Sequence, residues 1–354
     1  MKLCKRIFAR SLILSFSAIL CGNAGLFLQP ALGASEEPSK ALSGKTIRII
    51  VGYSPGGGFD TLTRIVARHL SKHLPGNPNI LVSNMTGAGG AVALNYVYTR
   101  GTPDGLTWVS SDGALVLSKI LGLPGPDFDV EKFPWLGVGQ TDHQACMVMT
   151  RTGITTAEQF LRSPTAIRLA STVPGDSPHI RPAIAAEAVG ANFKIIQGYP
   201  GTADMRLAMQ SGDADAACWG WESMKVTAAD MLQRKEAIPI LQIGLERHPD
   251  LPNVPNILDF PMSNDAKTML RLVAAPGAIA KLFALSPGTP QPLLNVLRKG
   301  FGDTLKDREL LADAQKSKMK ISYVAAEQVT KIIKEMNSTS PELKQKVAKA
   351  ARPG

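Results

Sequence analysis

The chain alternates between short β-branched apolar runs and segments with a helical spacing of apolar residues. Strands are predicted at 46–51, 80–82 and 107–109, and helices at 62–70 and 91–99. This β-α-β-α-β order predicts a parallel sheet with right-handed crossovers. Ligands of such sheets bind beyond the carboxyl ends of the strands.

A second α/β set follows a loop that is rich in Gly, Pro and Asp, at 121–135. Its predicted strands are 146–150, 167–170, 193–196, 214–219 and 238–243, and its predicted helices are 156–162, 178–189, 203–209 and 228–234. The Pro-dense run 247–255 cannot be a regular helix. We expect the chain to return there to the first unit and to be helical up to its end.

Length and composition agree with this organisation. A chain of 354 residues suits two domains, and 44% hydrophobic residues indicate a globular protein with a substantial core. No run of Lys and Arg with interleaved aromatic residues is present, so nucleic acid is not an expected partner.

The N-terminal residues have the pattern of an export signal. Four basic residues precede a mostly apolar segment, 11–28, and small residues follow at 31–33. We expect residues 1–33 to be a signal peptide and the protein to be periplasmic. A membrane anchor is the alternative, but Ser, Gly and Asn interrupt the apolar segment.

The mature chain would keep two cysteines, Cys146 and Cys218. An oxidising compartment would permit a disulfide, but both lie in apolar strand-like runs where a free cysteine is an ordinary core residue. Free cysteines are therefore expected, with the disulfide as the alternative. The histidines lack the spacing of a metal site, and the pair His69 and His73 is expected on a solvated helix face. We expect neither a metal nor a cofactor.

Three consecutive glycines, Gly56–Gly58, stand between the first predicted strand and the first predicted helix. Backbone N–H groups that are bared in this way at a helix N-terminus attract an anion. The segment has neither the lysine of a phosphate-binding loop nor a dinucleotide fingerprint. Asp60, which is expected to cap a helix that begins near Thr61, would repel a polyanion. These features favour a single carboxylate.

Two further loops repeat the arrangement of strand, small residues and helix, at 84–90 and at 171–179. Because such loops lie at the carboxyl ends of strands, we expect all three to face one cleft. Ser110 and Asp112 follow the predicted strand at Thr107 and are candidate ligand-binding residues from that placement alone.

In its ordered set of motifs, the chain resembles the substrate-binding receptors of tripartite tricarboxylate transporters, the Bug-type periplasmic solute-binding proteins. The matching motifs are Ile49–Val51 with Gly56, Gly57 and Asp60; Asn84 with Gly87–Gly90; Pro103–Gly105; Gly175 with Ser177 and His179; Tyr199–Gly201; Gly212 with Asp215 and Ala216; Arg247–Pro255; and Pro287–Pro290. The resemblance covers roughly 46–335.

The resemblance implies a two-lobed α/β fold, the type II periplasmic-binding fold, in which each lobe is a doubly wound sheet flanked by helices. Lobe 1 would comprise 45–142 and 262–354, and lobe 2 would comprise 143–261. The protein would be a non-enzymatic, monomeric receptor for a di- or tricarboxylate, an aromatic acid or another small organic acid. Its partners would be the membrane permease subunits of such a transporter.

The resemblance also implies ligand-binding residues. These are Ser54, Gly57, Asp60, Ser177, His179, Tyr199 and Thr202, with Gly58 in the same loop as Gly57. The chain departs from the family at Trp219 and Trp221, where relatives often carry a small polar residue. Trp219 is either part of an aromatic wall for a ring-bearing ligand or a core residue.

Two other functions remain open at this point. The same fold could present its ligand to a sensor protein instead of a transporter. An exported serine hydrolase would use Ser177 and His179, but their spacing is not that of a nucleophile elbow.

Overall fold

The computed structural model describes residues 41–352, so the predicted signal peptide, 1–33, lies outside the described residues. The strands are β1 (Thr46–Val51), β2 (Asn79–Asn84), β3 (Thr107–Asp112), β4 (Trp135–Gln140), β5 (Gln144–Met149), β6 (Ile167–Ala170), β7 (Phe193–Ile196), β8 (Ala216–Gly220), β9 (Ala237–Ile243), β10 (Lys281–Leu285) and β11 (Val324–Ala325).

Thirteen α-helices flank the strands in this part of the chain. They are α1 (Gly58–Leu70), α2 (Ala91–Arg100), α3 (Ala114–Ile120), α4 (Ala157–Leu161), α5 (Ser177–Val189), α6 (Thr202–Ser211), α7 (Trp221–Thr227), α8 (Ala229–Gln233), α9 (Asn264–Ala274), α10 (Gln291–Lys306), α11 (Arg308–Lys316), α12 (Ala326–Asn337) and α13 (Pro341–Ala350). Within residues 41–352, no helix has the length and apolar character that crossing a membrane requires.

The strands form two sheets and thereby two lobes. The first sheet has the order β11-β4-β10-β3-β1-β2, and the second has the order β7-β6-β8-β5-β9. We call the first sheet with the helices packed on it the first lobe, and the second sheet with its helices the second lobe. The two-lobed α/β fold that the motifs imply is thus confirmed, while the domain boundaries at 142 and 261 stay predictions.

Both sheets are mixed, although the three strands for which parallel pairing is predicted, β1, β2 and β3, do pair in parallel. β1 pairs in parallel with β2 and β3, but β10 runs antiparallel to β3 and β4. In the second sheet β5 is antiparallel to β8 and β9. The reason is the connection between the lobes, because β10 joins the first sheet only after the chain has passed through the second.

The segment after 255 is also not wholly helical, since it contains β10. All five residues of this strand are buried. A strand that is buried on both faces reads as a continuous apolar run, and a short run of this kind cannot be distinguished from a helix by periodicity.

A disulfide joins Cys146 on β5 to Cys218 on β8. The two residues are direct partners in the antiparallel register of these strands. The expectation of free cysteines is therefore wrong. The cysteines are 72 positions apart in sequence, so local sequence patterns do not reveal that their strands are neighbours.

The passages between the lobes lie side by side. The chain leaves the first sheet after β4 and returns to it at β10. The N–H of Asp142, in the first passage, donates to the carbonyl oxygen of Gly277, in the second, at 2.8 Å. Helices α9 and α13 from the last part of the chain pack against α5 of the second lobe.

His69, on α1, and His73, in the turn that follows α1, do not lie on a solvated face, contrary to prediction. The Nε2 of His69 is 3.1 Å from Asp313 Oδ2, and the Nε2 of His73 is 2.8 Å from Asp307 Oδ2. Both partners belong to the chain around α11, a helix that the sequence pattern did not reveal. These two histidine–aspartate contacts link the chain around α11 to α1 and the turn after it.

Candidate functional site

The glycines after β1 give room for the second lobe. A Cβ atom on Gly58 would lie 1.6 Å from Ser223 Oγ, and one on Gly57 would lie 3.1 Å from Thr202 Oγ1. Gly56 has φ +75°, a conformation that favours glycine. The missing side chains are therefore explained by the close approach of the other lobe to this backbone.

The other two loops meet each other across the same cleft. A Cβ atom on Gly89, in the loop at 84–90, would lie 2.4 Å from Val173 Cγ2 and 2.9 Å from Asp176 Oδ2. Val173 and Asp176 belong to the loop between β6 and α5. The prediction that the three loops converge on one cleft is confirmed.

A cavity of about 30 Å³ lies between the lobes. Its walls are formed by Tyr53, Phe59, Asp112, Asp142, Thr172, Ser177, Pro178, Arg181, Thr202, Trp219, Gly220, Ser223, Ala280 and Lys281. The residues before 120 and after 279 belong to the first lobe, those from 172 to 223 to the second, and Asp142 lies in the passage between them. The cavity is therefore bounded by both lobes.

Four of the predicted ligand-binding residues line this cavity: Asp112, Ser177, Thr202 and Trp219. Gly57 and Gly58 lie beside it, against Thr202 and Ser223. Asp112, which its placement at a strand end singled out, thus lies on the cavity wall, and its role in ligand binding stays a prediction.

The remaining predicted residues lie elsewhere. Ser54 Oγ donates to Asp204 Oδ2 at 2.7 Å, and Ser110 Oγ accepts from Thr63 within the first lobe. Tyr199 packs against the core of the second lobe. His179 is 2% exposed and lines a different cavity, with its Nε2 3.2 Å from the side-chain nitrogen of Gln197. Ser177 and His179 therefore face different cavities.

Asp60 stabilises the first loop from within. Helix α1 begins at Gly58, so Asp60 lies in its first turn and the predicted capping of a helix from Thr61 is wrong. The carboxylate accepts from the N–H of Gly56 at 3.0 Å, from Asn84 Nδ2 at 2.9 Å and from Arg64 Nε at 3.0 Å. Burial acts to raise the pKa of Asp60, but these hydrogen bonds outweigh it and hold the pKa below its ordinary value.

Sequence reasoning missed the two cations of the cavity, Arg181 and Lys281. Each is 2% exposed; Arg181 lies in α5, which also carries His179 and Glu187, and Lys281 is the first residue of the otherwise apolar strand β10. Charged residues of this kind are almost never buried without a reason. A lysine at the start of an apolar run was a signal that could have revealed Lys281, whereas Arg181 stands among other polar residues of α5 and gave no such signal.

Arg181 lines the cavity and carries a buried donor without a partner. Its Nε donates to the carbonyl oxygen of Val273 at 3.0 Å. Within the described part of the chain, its Nη2 is buried and has no hydrogen-bond partner. An unpaired donor on a buried charge costs several kcal/mol of folding free energy, on the order of 3–5 when a buried pair is broken. The guanidinium is thus set up for an acceptor that comes from outside the chain.

Lys281 and Asp142, by contrast, satisfy each other. Lys281 Nζ lies 3.2 Å from Asp142 Oδ2 and 4.3 Å from the centre of the Phe59 ring. Asp142 Oδ1 also accepts from the N–H of His143 at 2.9 Å and from the N–H of Glu222 at 3.3 Å. A Cβ atom on Gly220 would lie 1.6 Å from Asp142 Oδ2, which explains the glycine between the two tryptophans.

Asp112 is the second acid of the wall. Its Oδ1 accepts from the N–H of Ala114 at 2.9 Å. Burial raises the pKa of Asp112 above its ordinary value, although the hydrogen bond from Ala114 and the charge of Arg181 oppose the shift. Among the ion pairs of the described residues, with a nitrogen–oxygen distance of 4.0 Å or less, Arg181 and Asp112 do not form one.

Further donors of the wall are buried and unpaired in residues 41–352: Trp219 Nε1, Ser223 Oγ and the hydroxyl of Tyr53. Trp221 differs, because its Nε1 donates to Asp250 Oδ2 at 3.0 Å. The aromatic wall therefore consists of Trp219 with the stacked rings of Tyr53 and Phe59, whose centres are 4.3 Å apart. Trp221 is a core residue with a satisfied N–H group.

Comparison with known sequences gives two relatives. No protein-family model matches the chain. It is 24% identical over 224 residues to a UPF0065 protein of a Pseudomonas species, which covers 62% of this chain and 64% of the relative. It is 31% identical over 99 residues to the protein BugT of Bordetella pertussis, which covers 28% of this chain and 29% of the relative. The chain thus spans less than two thirds of either relative's length.

Comparison with solved structures gives similar folds over almost the whole described chain. The periplasmic binding protein BugD matches with a TM-score of 0.70 and 19% identity, covering 86% of this chain and 97% of BugD. MatC of Rhodopseudomonas palustris, with bound malate, matches with a TM-score of 0.68 and 18% identity, covering 86% and 99%.

A second Rhodopseudomonas palustris protein, with adipate, matches with a TM-score of 0.69 and 18% identity, covering 87% of this chain and 97% of that protein. At these identities the structures show a shared fold, and the sequence relatives carry the family likeness. The chain is thus similar in sequence to Bug-type proteins, and it shares the fold of periplasmic solute-binding proteins.

Proposed function

We propose that the protein is an extracytoplasmic receptor that binds a small organic acid in the cavity between its lobes. The observation that carries the proposal is the set of buried donors without partners on the cavity wall, above all Arg181 Nη2 and Trp219 Nε1. Such donors suit a carboxylate, because a hydrogen bond to a charged group contributes roughly 1.5–3 kcal/mol. No catalytic step is proposed.

The likeness to receptors of known ligands supports this choice. Two of the similar structures contain a dicarboxylate, malate in one and adipate in the other. These structures share the fold of this chain. Independently of them, the cavity of this chain is lined by residues with cationic and N–H donors. A carboxylate ligand is therefore consistent with both lines of support.

Opening and closing of the lobes would admit the ligand. The cavity of about 30 Å³ has room for one or two water molecules, so a larger ligand enters only when the lobes separate. The neighbouring passages around Asp142 and Gly277 are the natural hinge, since they join the lobes. A ligand closes such a hinge if it binds the closed state more tightly than the open state.

The closed, monomeric receptor would then deliver its ligand in the periplasm to the membrane permease subunits of a tripartite tricarboxylate-type transporter. Uptake of labelled ligand by cells that produce the permease, with and without the receptor, tests this step. Uptake that does not depend on the receptor would instead favour presentation of the ligand to a sensor protein.

Calorimetric titration tests the binding function itself. The protein is unfolded, freed of small molecules by dialysis, refolded and titrated with di- and tricarboxylates, aromatic acids and amino acids. We expect at least one acid to bind with a Kd in the micromolar range, about −8 kcal/mol. If the refolded protein has native stability and none of these acids produces heat, the proposal is wrong.

A further inference from the structure

The cavity wall carries two opposite charges that do not pair with each other. Asp112 comes from β3 of the first lobe and Arg181 from α5 of the second. Both side chains are at most 4% exposed, yet within the described residues they form no ion pair with each other at 4.0 Å or less. Each therefore lacks a counter-charge in direct contact.

The other two charges of the wall do not supply one. Lys281 and Asp142 contact each other at 3.2 Å, and Asp142 also accepts two backbone N–H groups. This pair is internally satisfied. The four charges sum to zero, so the cavity as a whole has no excess of positive charge for a dianion.

We propose that the ligand is zwitterionic, a small amino acid whose ammonium group binds Asp112 and whose carboxylate binds Arg181 and Trp219. This inference rests on the proposed receptor function and narrows its ligand class. Such a ligand supplies both missing counter-charges and leaves the cavity neutral. A dicarboxylate would satisfy Arg181 but would bring two negative charges beside the Asp112 carboxylate, and like charges in a buried site repel strongly.

The placement of the two charges also links the ligand to closure. Because Asp112 and Arg181 belong to different lobes, a ligand that contacts both favours the closed arrangement. The ring of Phe59, which already faces the ammonium group of Lys281 at 4.3 Å, shows that this wall accommodates a cation against an aromatic face. The small cavity favours a short ligand.

Matched ligands that differ in one group test the inference on the unaltered protein. The pairs are alanine with propionate and aspartate with succinate, and malate places a hydroxyl where aspartate has its ammonium group. We expect the amino acid of at least one pair to bind at least tenfold more tightly than its partner at pH 7.5. Malate should bind less tightly than aspartate.

A variant then tests whether Asp112 causes the preference for the amino acid over the deaminated acid. Asp112→Asn should reduce the preference for the amino acid to about twofold, while the same change in the satisfied acid, Asp60→Asn, should leave the preference intact. Equal or tighter binding of the deaminated acids by the unaltered protein would overturn the zwitterion inference but leave the receptor function standing. Failure of every carboxylate, amino acids included, would overturn the receptor function itself.

If the preference survives Asp112→Asn in a folded variant, Asp112 is not the ammonium site and the inference is wrong as stated. Tighter binding of succinate as the pH falls towards 5, with no gain for aspartate, would also contradict it. That result would mean that Asp112 serves as a protonated donor to a carboxylate.

Discussion

Asp60 and Asp112 lie near the ends of neighbouring strands of the same sheet, yet their surroundings are opposite. Asp60 accepts hydrogen bonds from Gly56, Asn84 and Arg64, and its pKa is held below the ordinary value. Asp112 is buried at the cavity wall, and burial raises its pKa. Other residues of the chain supply all the hydrogen bonds of the Asp60 carboxylate. Asp112, by contrast, lies on a cavity wall where several buried donors have no hydrogen-bond partner among the described residues.

The difference teaches how to separate structural polar residues from ligand-binding ones. The glycine loop with Asp60 is the more conspicuous motif in the sequence, but its polar groups are used to shape the loop. The cavity wall is inconspicuous in sequence, but several of its donors, Arg181 Nη2 and Trp219 Nε1 among them, are buried and unpaired in the part of the chain that the structure describes. Buried polar groups without partners are costly, so they mark the place where a partner is expected.

The largest effect is expected when the cation with the unpaired donor, Arg181, is removed. Arg181→Gln should weaken ligand binding roughly 30-fold or more, because truncating one partner of a buried charge pair costs about 2–5 kcal/mol. The matched control is Arg64→Gln in the Asp60 network, which should change the Kd by no more than about threefold. Calorimetric titration of both variants gives the comparison, and comparable losses in the two would refute it.

A second test concerns His179, which the motif implies as a ligand-binding residue and which the structure places outside the cavity wall. Burial lowers the pKa of His179 to about 4, below the unfolded value near 6.5. The unfolded chain therefore binds more protons between these values, and stability falls as the pH is lowered from 6.5 towards 4.

His179→Gln should remove this contribution from the pH dependence of unfolding, about 3 kcal/mol in full and somewhat less between pH 7.5 and pH 4.5. Denaturant unfolding at pH 7.5 and pH 4.5 measures it. The same variant should bind ligand with an unchanged Kd at pH 7.5. A tenfold loss of affinity in a stably folded variant would restore His179 to the site.

A smaller effect on binding is expected from conservative substitutions of the two tryptophans. Trp219→Phe keeps an aromatic ring but removes the unpaired N–H group, so we expect roughly tenfold weaker binding, about 1.5 kcal/mol. Trp221→Phe removes an N–H group that is already bonded to Asp250. It should lower the free energy of unfolding by about 1 kcal/mol and leave the Kd unchanged. Reversal of this pattern would mean that the wrong indole was assigned to the cavity.

The smallest expected effect is that of Asp60→Asn. The lowered pKa of Asp60 means that its charged form stabilises the fold above the ordinary pKa near 3.9, and that this contribution is lost as the pH falls through the folded value. We expect the variant to be about 1 kcal/mol less stable at pH 7, and the difference to shrink as the pH falls below the ordinary pKa near 3.9. A difference that persists unchanged at the lower pH would show that charge is not the cause.

Much of the fold follows from local patterns in the sequence. The strands at Thr46–Val51, Ile167–Ala170 and Phe193–Ile196 stand where the β-branched runs predict them. The convergence of the glycine loops follows from the rule that loops at the carboxyl ends of strands share one edge. Periodicity and turn residues are enough for these features.

Pairings between distant segments could not be predicted in the same way. Periodicity does not reveal that β10 joins the first sheet, that β5 and β8 bring Cys146 and Cys218 together, or that α11 packs on α1. For the same reason Arg181 and Lys281 were not predicted, because their approach to the cavity depends on the docking of α5 and β10. Asp112 was predicted because a strand end alone determines its place.

The central claim is that unpaired donors from the cavity wall hold the carboxylate of the ligand. A crystal structure of the protein with its tightest-binding acid tests this most directly. We predict the carboxylate between the lobes, with Arg181 Nη2 and Trp219 Nε1 within hydrogen-bond distance of its oxygens. An acid bound elsewhere, or bound in the cavity with both of these donors still unpaired, would contradict the account.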